Sequence, residues 1–147
     1  MILSDTHVSG NTTMVIMGCD ELGVSVATLL SEQGHIIHVL DHRPEALEML
    51  PTGKVEDGHI TPLMTTGSLH HDLSNPSIRE PGVFMALSDS DTQNALAGQI
   101  AQHTFSIPTV ICRIEDPSLQ EMYAELNIVA VSAVNLITGM VVDAANT

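Results

Sequence analysis

One stretch near the N-terminus constrains the fold of this chain most strongly. The apolar run 14–17 leads through Gly18 and Gly23 into a segment with helical apolar spacing. A second apolar run, 36–40, follows and ends at Asp41. Strand, glycine turn, helix, strand and acid, in this order, are typical of a βαβ unit that binds a dinucleotide. The acid accepts hydrogen bonds from the hydroxyls of the ribose. The sequence therefore predicts such a unit over residues 14–41.

The helix of this unit is predicted from its apolar spacing and from its end. Leu22, Val26, Leu29 and Leu30 fall on one helical face, which we expect to pack on the sheet. Gly34 is expected to end the helix, because glycine readily adopts the left-handed backbone of a helix C-terminus.

The glycine pattern lacks its middle glycine. Asp20 stands at that position and Glu21 follows it. The middle glycine normally lets the backbone approach the pyrophosphate, and two carboxylates there oppose a phosphate. Both acids are equally compatible with a plain role in stabilising the positive N-terminus of the helix. The two interpretations stay open at this point.

The rest of the chain alternates apolar runs with helical patterns, which predicts a parallel sheet covered on both faces. We expect one α/β domain, a Rossmann-like doubly wound parallel sheet of six strands, over residues 13–142, with a flexible arm at 1–12 and a C-terminal tail at 143–147. Pro62 places the third strand at an edge, and polar residues 54–58 predict a turn. The predicted strands are 14–17, 36–40, 60–64, 83–87, 108–112 and 128–131.

Charge and cysteine usage exclude several classes of protein. Eighteen acids against four bases give a formal charge of −14, which argues against nucleic-acid backbones and anionic membrane surfaces as partners. No apolar run approaches the roughly 20 residues that span a membrane, and the first residues do not resemble a signal peptide. Cys19 and Cys112 show no metal or redox spacing, so two free thiols in a reducing cytoplasm are expected.

Catalytic and metal sites are not predicted. The single tyrosine, Tyr123, lies on an apolar helical face and is interpreted as a core residue. Of the eight histidines, His70 and His71 lie next to Asp72, but adjacent side chains rarely converge on one ion, and solvated loop residues are the simpler interpretation. The sequence favours a protein that is not an enzyme.

Several segments, in order, resemble one family, the RCK N-terminal or TrkA-N domain. Residues 15–23 and 39–45 resemble its first βαβ unit. Residues 86–91 with Asn94 look like the family's A-L-T-D-D-D and asparagine, and 111–117 are similar to its fifth-strand arginine and Asp-Pro helix start. The resemblance covers residues 13–137. The family's arginine after the second glycine is absent. Its G-D-A-T motif after strand three is matched only weakly, by residues 67–68.

The resemblance implies a nucleotide-binding regulatory module of potassium transport systems. NAD or an adenine nucleotide (ATP, ADP or AMP) is the implied ligand, and Asp41 favours a free ribose 2′-hydroxyl over a 2′-phosphate. The cofactor-binding residues predicted from motif and topology are Gly18, Cys19, Asp20, Glu21, Leu22, Gly23, Asp41, His42, Arg43, Leu87, Ser88 and Arg113.

Two of these residues have open alternatives. Arg43 is placed to touch a ribose or adenine, or else forms a surface ion pair with Glu45 or Glu48. Arg113 faces the crevice by topology, or else pairs with Glu115 or Asp116. A further alternative keeps the fold without its ligand: a degenerate Rossmann scaffold that acts as an interaction subunit. An NAD-dependent oxidoreductase is a third option, which the lack of a catalytic group opposes.

Partners and location follow from the same resemblance. We expect a cytoplasmic subunit, or one held at the inner face of the membrane by a potassium transporter or channel, without membrane insertion and without nucleic acid. A homodimer is expected, with higher rings only in the presence of a cation or partner. Val134, Ile137, Val141 and Val142 spread over more than one side of the last helix, which supports a second copy as their cover. The alternative is that this helix packs wholly on its own sheet.

Overall fold

The architecture is a six-stranded parallel sheet with helices on both faces, which confirms the predicted fold. The computed structural model describes residues 12–147, so the predicted arm lies outside the described residues except for Thr12. The strand order is β3-β2-β1-β4-β5-β6. The strands are β1 (Thr13–Met17), β2 (Ile36–Asp41), β3 (Ile60–Met64), β4 (Val83–Ala86), β5 (Thr109–Arg113) and β6 (Val129–Val131).

Seven α-helices lie within the described range. They are α1 (Glu21–Glu32), α2 (Pro44–Leu47), α3 (Thr52–Glu56), α4 (Leu69–Leu73), α5 (Asp91–Gln99), α6 (Pro117–Glu125) and α7 (Ala133–Ala145). A π-helical turn, Ile100–Thr104, continues α5. Gly34 follows α1 with φ +95°, as predicted. The helix α7 includes the first three residues of the predicted C-terminal tail.

Each face of the sheet carries its own core. Val15, Leu40 and Phe84 pack with residues from α4, α5 and α6 on one face. Ile16, Val39 and residues from α1 and α2 form the core of the other face. Because strand residues alternate between faces, β1 and β2, which lie inside the sheet, contribute to both cores. Their apolar runs are therefore nearly continuous, as expected for buried parallel strands.

The predicted packing face of α1 is only partly correct, because Val26 and Leu30 pack against the core but Leu22 and Leu29 do not. The buried residues of this helix are Gly23, Ala27 and Ser31, whereas Leu22 and Leu29 are 37% and 58% exposed. The helix lies so close to β1 that a Cβ at Gly23 would overlap the carbonyl oxygen of Gly18. Small side chains on the inner face permit this approach, and Leu22 and Leu29 are left at the surface.

Two further sequence predictions have mixed outcomes. The predicted turn at 54–58 is wrong over its first residues, because α3 spans Thr52–Glu56 and the chain turns only at Asp57 and Gly58, where φ is +87°. Pro62 does lie in an edge strand, as predicted, since β3 pairs with β2 alone. A proline fits there because its missing N–H leaves no gap in an inner hydrogen-bond ladder.

Tyr123 on α6 and His38 on β2 are polar residues buried in the core. Tyr123 is 8% exposed, and its hydroxyl accepts a hydrogen bond from Gln99 Nε2 at 3.1 Å; it is the core residue predicted. His38 on β2 is buried between Val15 of β1 and Thr61 of β3. Burial lowers the pKa of its imidazole, so the neutral form is favoured.

Candidate functional site

The turn between β1 and α1 is held by glycine. Gly18 has φ +108°, and a Cβ there would lie 2.8 Å from the amide nitrogen of Ser88. Its own amide donates to the carbonyl of Leu40 at 2.9 Å. The turn therefore contacts the C-terminal ends of both β2 and β4, which is where doubly wound sheets bind their ligands.

Asp41 ties the end of β2 to this turn. The residue is 6% exposed, and its Oδ2 accepts the amide of Cys19 at 2.8 Å. Its Oδ1 accepts the amide of Arg43 at 2.9 Å. The Arg43 guanidinium also binds both oxygens, Nε to Oδ1 and Nη2 to Oδ2, each at 3.1 Å. Neither alternative for Arg43 anticipated this pairing.

These donors keep Asp41 ionised. Burial alone would raise the pKa of this carboxyl, but the hydrogen bonds from Arg43 and from the Cys19 amide outweigh it and lower the pKa to about 2. His42 is mostly exposed, with Nδ1 3.6 Å from Asp41 Oδ1. The end of β2 is therefore an anchored anion at neutral pH.

The two acids of the turn are not helix caps in the usual sense. Asp20 occupies the N-cap position of α1, but its side chain accepts no hydrogen bond from the helix. Its Oδ1 is buried and has no hydrogen-bond partner among the described residues. Glu21 is exposed in the first turn. Their remaining effect on the helix is electrostatic, since negative charge is favourable at a helix N-terminus.

Cys19 directly precedes these acids in the turn and is part of the core. Its thiol is 1% exposed and donates to the Ala46 carbonyl at 3.3 Å. Burial, followed by the negative charge of Asp41, raises its pKa to about 11. A thiolate is thus disfavoured at this position.

A cavity of about 570 Å³ opens beside the turn, between α1 and α2. Val24, Ala46 and Met49 supply its apolar lining, and Asp20 and Arg43 are at its polar end. Its volume is within the range of small-molecule sites. The Arg43–Asp41 pair therefore lies at the wall of an accessible space.

On its other side the β1–α1 turn contacts the end of β4, where Leu87, Ser88 and Asn94 are joined by hydrogen bonds. Leu87 is buried, and its amide donates to the Met17 carbonyl at 2.8 Å. Asn94 is fully buried, with Oδ1 accepting from the Ser88 amide and hydroxyl at 3.1 and 2.7 Å. Its Nδ2 donates to the carbonyls of Ser88 and Arg113 at 2.9 and 2.8 Å. One side chain thus joins β4, α5 and β5.

Arg113 contributes only its backbone carbonyl to this arrangement. Its guanidinium Nε donates to Glu115 Oε2 at 2.9 Å, which is the structural pair weighed as its alternative. Glu115 also accepts the Ser132 hydroxyl at 2.6 Å and the Val134 amide at 3.2 Å. The hydrogen bond from Ser132, together with that from Arg113, lowers the pKa of Glu115 to about 2. This carboxylate fixes the start of α7.

A second cavity, of about 260 Å³, adjoins the ends of β2 and β3 beside α4. Its polar lining includes Thr66, His71, Asp72 and Asn75, none of which was predicted as a site residue. Asp72 is buried and accepts from the hydroxyls of Thr65 and Thr66 and from the Thr66 amide. The sequence signal that pointed to this loop was the weak match of its glycine and serine to the family motif after strand three.

The histidine-rich segment forms no metal centre in the described part of the chain. His70 packs its ring against Phe105, with centroids 5.3 Å apart, while Asp72 points to the threonines of the β3–α4 loop. Among residues 12–147, no group of three or more histidine, cysteine or acidic side chains is placed to hold a metal ion. No helix in this range is long and apolar enough to cross a membrane.

The β1–α1 turn is thus joined to Asp41 at the end of β2 and to Ser88 beyond β4. The family model for the TrkA-N domain matches residues 14–134. The chain belongs to the TrkA-N family. It is 34% identical over 122 residues to the Trk system potassium uptake protein TrkA of Streptomyces coelicolor, covering 82% of this chain and 52% of that protein. A TrkA homologue of Pyrococcus abyssi is 28% identical over 116 residues, covering 77% and 48%.

The TrkA-N chain thus spans about half the length of the curated relatives it matches. Among solved structures, it is similar to the Shewanella denitrificans Kef C-terminal domain in its AMP-bound form, with a TM-score of 0.73 and 15% identity. That likeness covers 92% of this chain and 80% of the Kef domain, and it supports the same fold.

Proposed function

We propose that this TrkA-N chain is a nucleotide-binding regulatory module of a potassium transport system and has no catalytic activity of its own. The observation that carries the proposal is the buried Asp41, anchored to the glycine turn at the end of β2. An acid at this place accepts ribose hydroxyls in dinucleotide-binding folds. The names of the TrkA relatives support the link to potassium uptake.

The ligand is NAD or an adenine nucleotide, ATP, ADP or AMP. The ribose lies at Asp41, beside His42 and Arg43, and the phosphates lie at the turn from Gly18 to Gly23, including Leu22, with Leu87 and Ser88 as the opposite wall. The second cavity, with Thr66, His71 and Asn75 in its lining, provides space and polar groups for a base. The AMP-bound form of the Kef neighbour supports a nucleotide as the ligand.

Asp41→Ala is expected to abolish nucleotide binding, because it removes the ribose acceptor and frees the Cys19 amide. Isothermal titration calorimetry with NAD, NADH, ATP, ADP and AMP measures this. Asp143→Ala, which removes an exposed carboxylate from α7, is the control and should bind as wild type does. Absence of heat with every nucleotide would remove the ligand from the proposal.

A second candidate function, an interaction scaffold that no longer binds a dinucleotide, is favoured by Asp20 and Glu21. Each carboxylate within about 5 Å of a pyrophosphate opposes it by roughly 1 kcal/mol or more. Asp20→Gly combined with Glu21→Arg, titrated in the same calorimetric series, separates the two functions. Equal affinity of wild type and double variant would exclude the scaffold; binding by the double variant alone would favour it.

The partner proposed is a membrane potassium transporter or channel subunit, contacted from the cytoplasm without insertion into the bilayer. The TrkA names support it, and the charge of −14 opposes direct attraction to anionic lipid. The partner responds to which nucleotide is bound to this module.

A homodimer through α7 completes the proposal. No residue of α7 is buried within the described chain, and Leu136, Ile137, Met140 and Val141 are each at least 58% exposed. At the helical spacing of α7, its apolar side chains cover more than half of the circumference. An apolar surface of this kind is typical of a protein interface, and a second copy provides an equal one.

Val141→Asp is expected to shift the protein from dimer to monomer, since it places a charge within the apolar surface of both copies. Light scattering coupled to size exclusion at tens of micromolar protein measures the mass. Asn146→Asp adds the same charge at the C-cap of α7, outside its apolar surface, and should leave the dimer intact. A wild-type monomer at low and moderate salt would contradict the dimer, as would a Val141→Asp variant of unchanged mass.

A further inference from the structure

The carboxylate of Asp41 has no free acceptor site in this structure. Two backbone amides, of Cys19 and Arg43, and two guanidinium nitrogens of Arg43 bind its two oxygens. An ionised carboxylate offers about four lone-pair directions. A ribose hydroxyl that donates to Asp41 must therefore displace one of the donors already present.

The displaceable donor is the Arg43 side chain. The two amides are fixed by the β1–α1 turn and by the chain entering α2, whereas the Arg43 side chain is 43% exposed and lines the larger cavity. We propose that Arg43 is an internal competitor of the ligand: its guanidinium occupies the Asp41 oxygens that ribose hydroxyls need, and binding requires it to leave them. This inference rests on the proposed function, in which a nucleotide binds at Asp41.

The surroundings define where the released guanidinium goes. Asp20 and Glu45 both act on the charge of Arg43, and both line the same cavity. Asp20 Oδ1 is the buried oxygen that has no partner among the described residues. A guanidinium that moves toward Asp20 lies at the N-terminus of α1, where phosphates bind, and it offsets the two carboxylates that oppose them.

This exchange makes Arg43 a specificity-determining residue. Every ribose ligand loses the Arg43–Asp41 pair on binding, but only a ligand with a phosphate offers the guanidinium a new anion. Arginine binds phosphate through paired N–H donors. The site therefore favours AMP-type nucleotides, with one phosphate on the ribose, over the unphosphorylated nucleoside adenosine.

Arg43→Ala tests this in calorimetric titrations with adenosine and AMP as separate probes. Adenosine should bind about three- to tenfold more tightly than to wild type, since no charge-assisted pair has to be broken. AMP should gain less, or bind more weakly, so the ratio of AMP to adenosine affinity falls. Arg43→Lys should be intermediate, because lysine keeps the charge but not the two-pronged geometry.

Arg79→Ala is the matched control, because it removes the same charge from an exposed position between α4 and β4. It should leave the affinity ratio unchanged. A loss of affinity for both probes in Arg43→Ala would make Arg43 an ordinary ligand contact and overturn the inference. Equal affinities in wild type and Arg43→Ala would also overturn it, while leaving the proposed function standing.

A measurement without ligand checks the pair itself. The Asp41 carboxyl, followed by NMR, should titrate with a pKa of about 2 in wild type and higher in Arg43→Ala. An unchanged titration would overturn the inference even if nucleotides bind. If neither probe binds wild type or Arg43→Ala, the inference falls, and the nucleotide part of the proposed function falls with it only if NAD, NADH, ATP and ADP give no heat either.

Discussion

Gly23→Ala is expected to lower the free energy of unfolding by about 2–3 kcal/mol, in the upper part of the roughly 1–3 kcal/mol that overpacking usually costs. The new Cβ would overlap the Gly18 carbonyl oxygen, a backbone atom that cannot turn aside as a side chain can. Either α1 moves away from β1 or the turn distorts. Urea denaturation followed by circular dichroism measures the change.

Gly139→Ala is the matched control within α7. A Cβ at Gly139 meets no atom within 4 Å, and alanine is the better helix former by about 1 kcal/mol. This variant should be as stable as wild type or slightly more so. If Gly23→Ala were equally stable, the close approach of α1 to the turn would not be what holds this part of the fold.

Asn94→Asp should lower the free energy of unfolding by about 3 kcal/mol at neutral pH, the cost of an uncompensated buried charge. The amide nitrogen that now donates to the Ser88 and Arg113 carbonyls, at 2.9 and 2.8 Å, would become a third acceptor facing them. The side-chain volume barely changes, so the effect isolates hydrogen bonding from packing. Chemical denaturation at pH 7 measures it.

The loss in Asn94→Asp should shrink in acid. Burial raises the folded-state pKa of the introduced carboxyl above its unfolded value of about 3.9. The folded state then binds the proton more tightly, so the deficit relative to wild type decreases as the pH falls toward about 4. Gln93→Glu makes the same chemical change one residue away, at an exposed position, and should stay within about 0.5 kcal/mol. A deficit independent of pH would contradict the buried charge.

Local periodicity and turn chemistry were sufficient to predict the order of the six strands and of the helices other than α3. Apolar runs marked every strand, and Gly34, Pro44 and the Asp116–Pro117 pair marked helix ends that the structure contains. Periodicity was less informative on which helix face is buried. The helix α1 lies so close to the sheet that small residues are the ones buried at their contact. Hydrophobic periodicity is instead dominated by the leucines of this helix.

The candidate site was predictable in its backbone but not in its side-chain pairing. Gly18 and Asp41 follow from strand and turn patterns, and Leu87 and Ser88 follow from the end of β4. The Arg43–Asp41 pair depends on the backbone conformation just after β2. This conformation lets both the amide and the guanidinium of Arg43 reach the same carboxylate. The second cavity is lined by residues from β2, β3, α4 and the loops on either side of α4, and no local sequence pattern predicts that these segments come together.

The central position of β1 has a consequence for how the protein is made. Strand β1 pairs on one side with β2, soon after it in the chain, and on the other with β4, where Met14 lies opposite Val83. Ribosomes add about 5–20 residues per second, so for seconds the growing chain has β1, α1 and β2 but an open inner edge. The Arg43–Asp41 pair belongs to this early half, whereas the Gly18–Ser88 contact waits for β4. The candidate site is therefore completed late in synthesis, and a chain stopped before residue 83 would expose the unpaired edge of β1 to other chains.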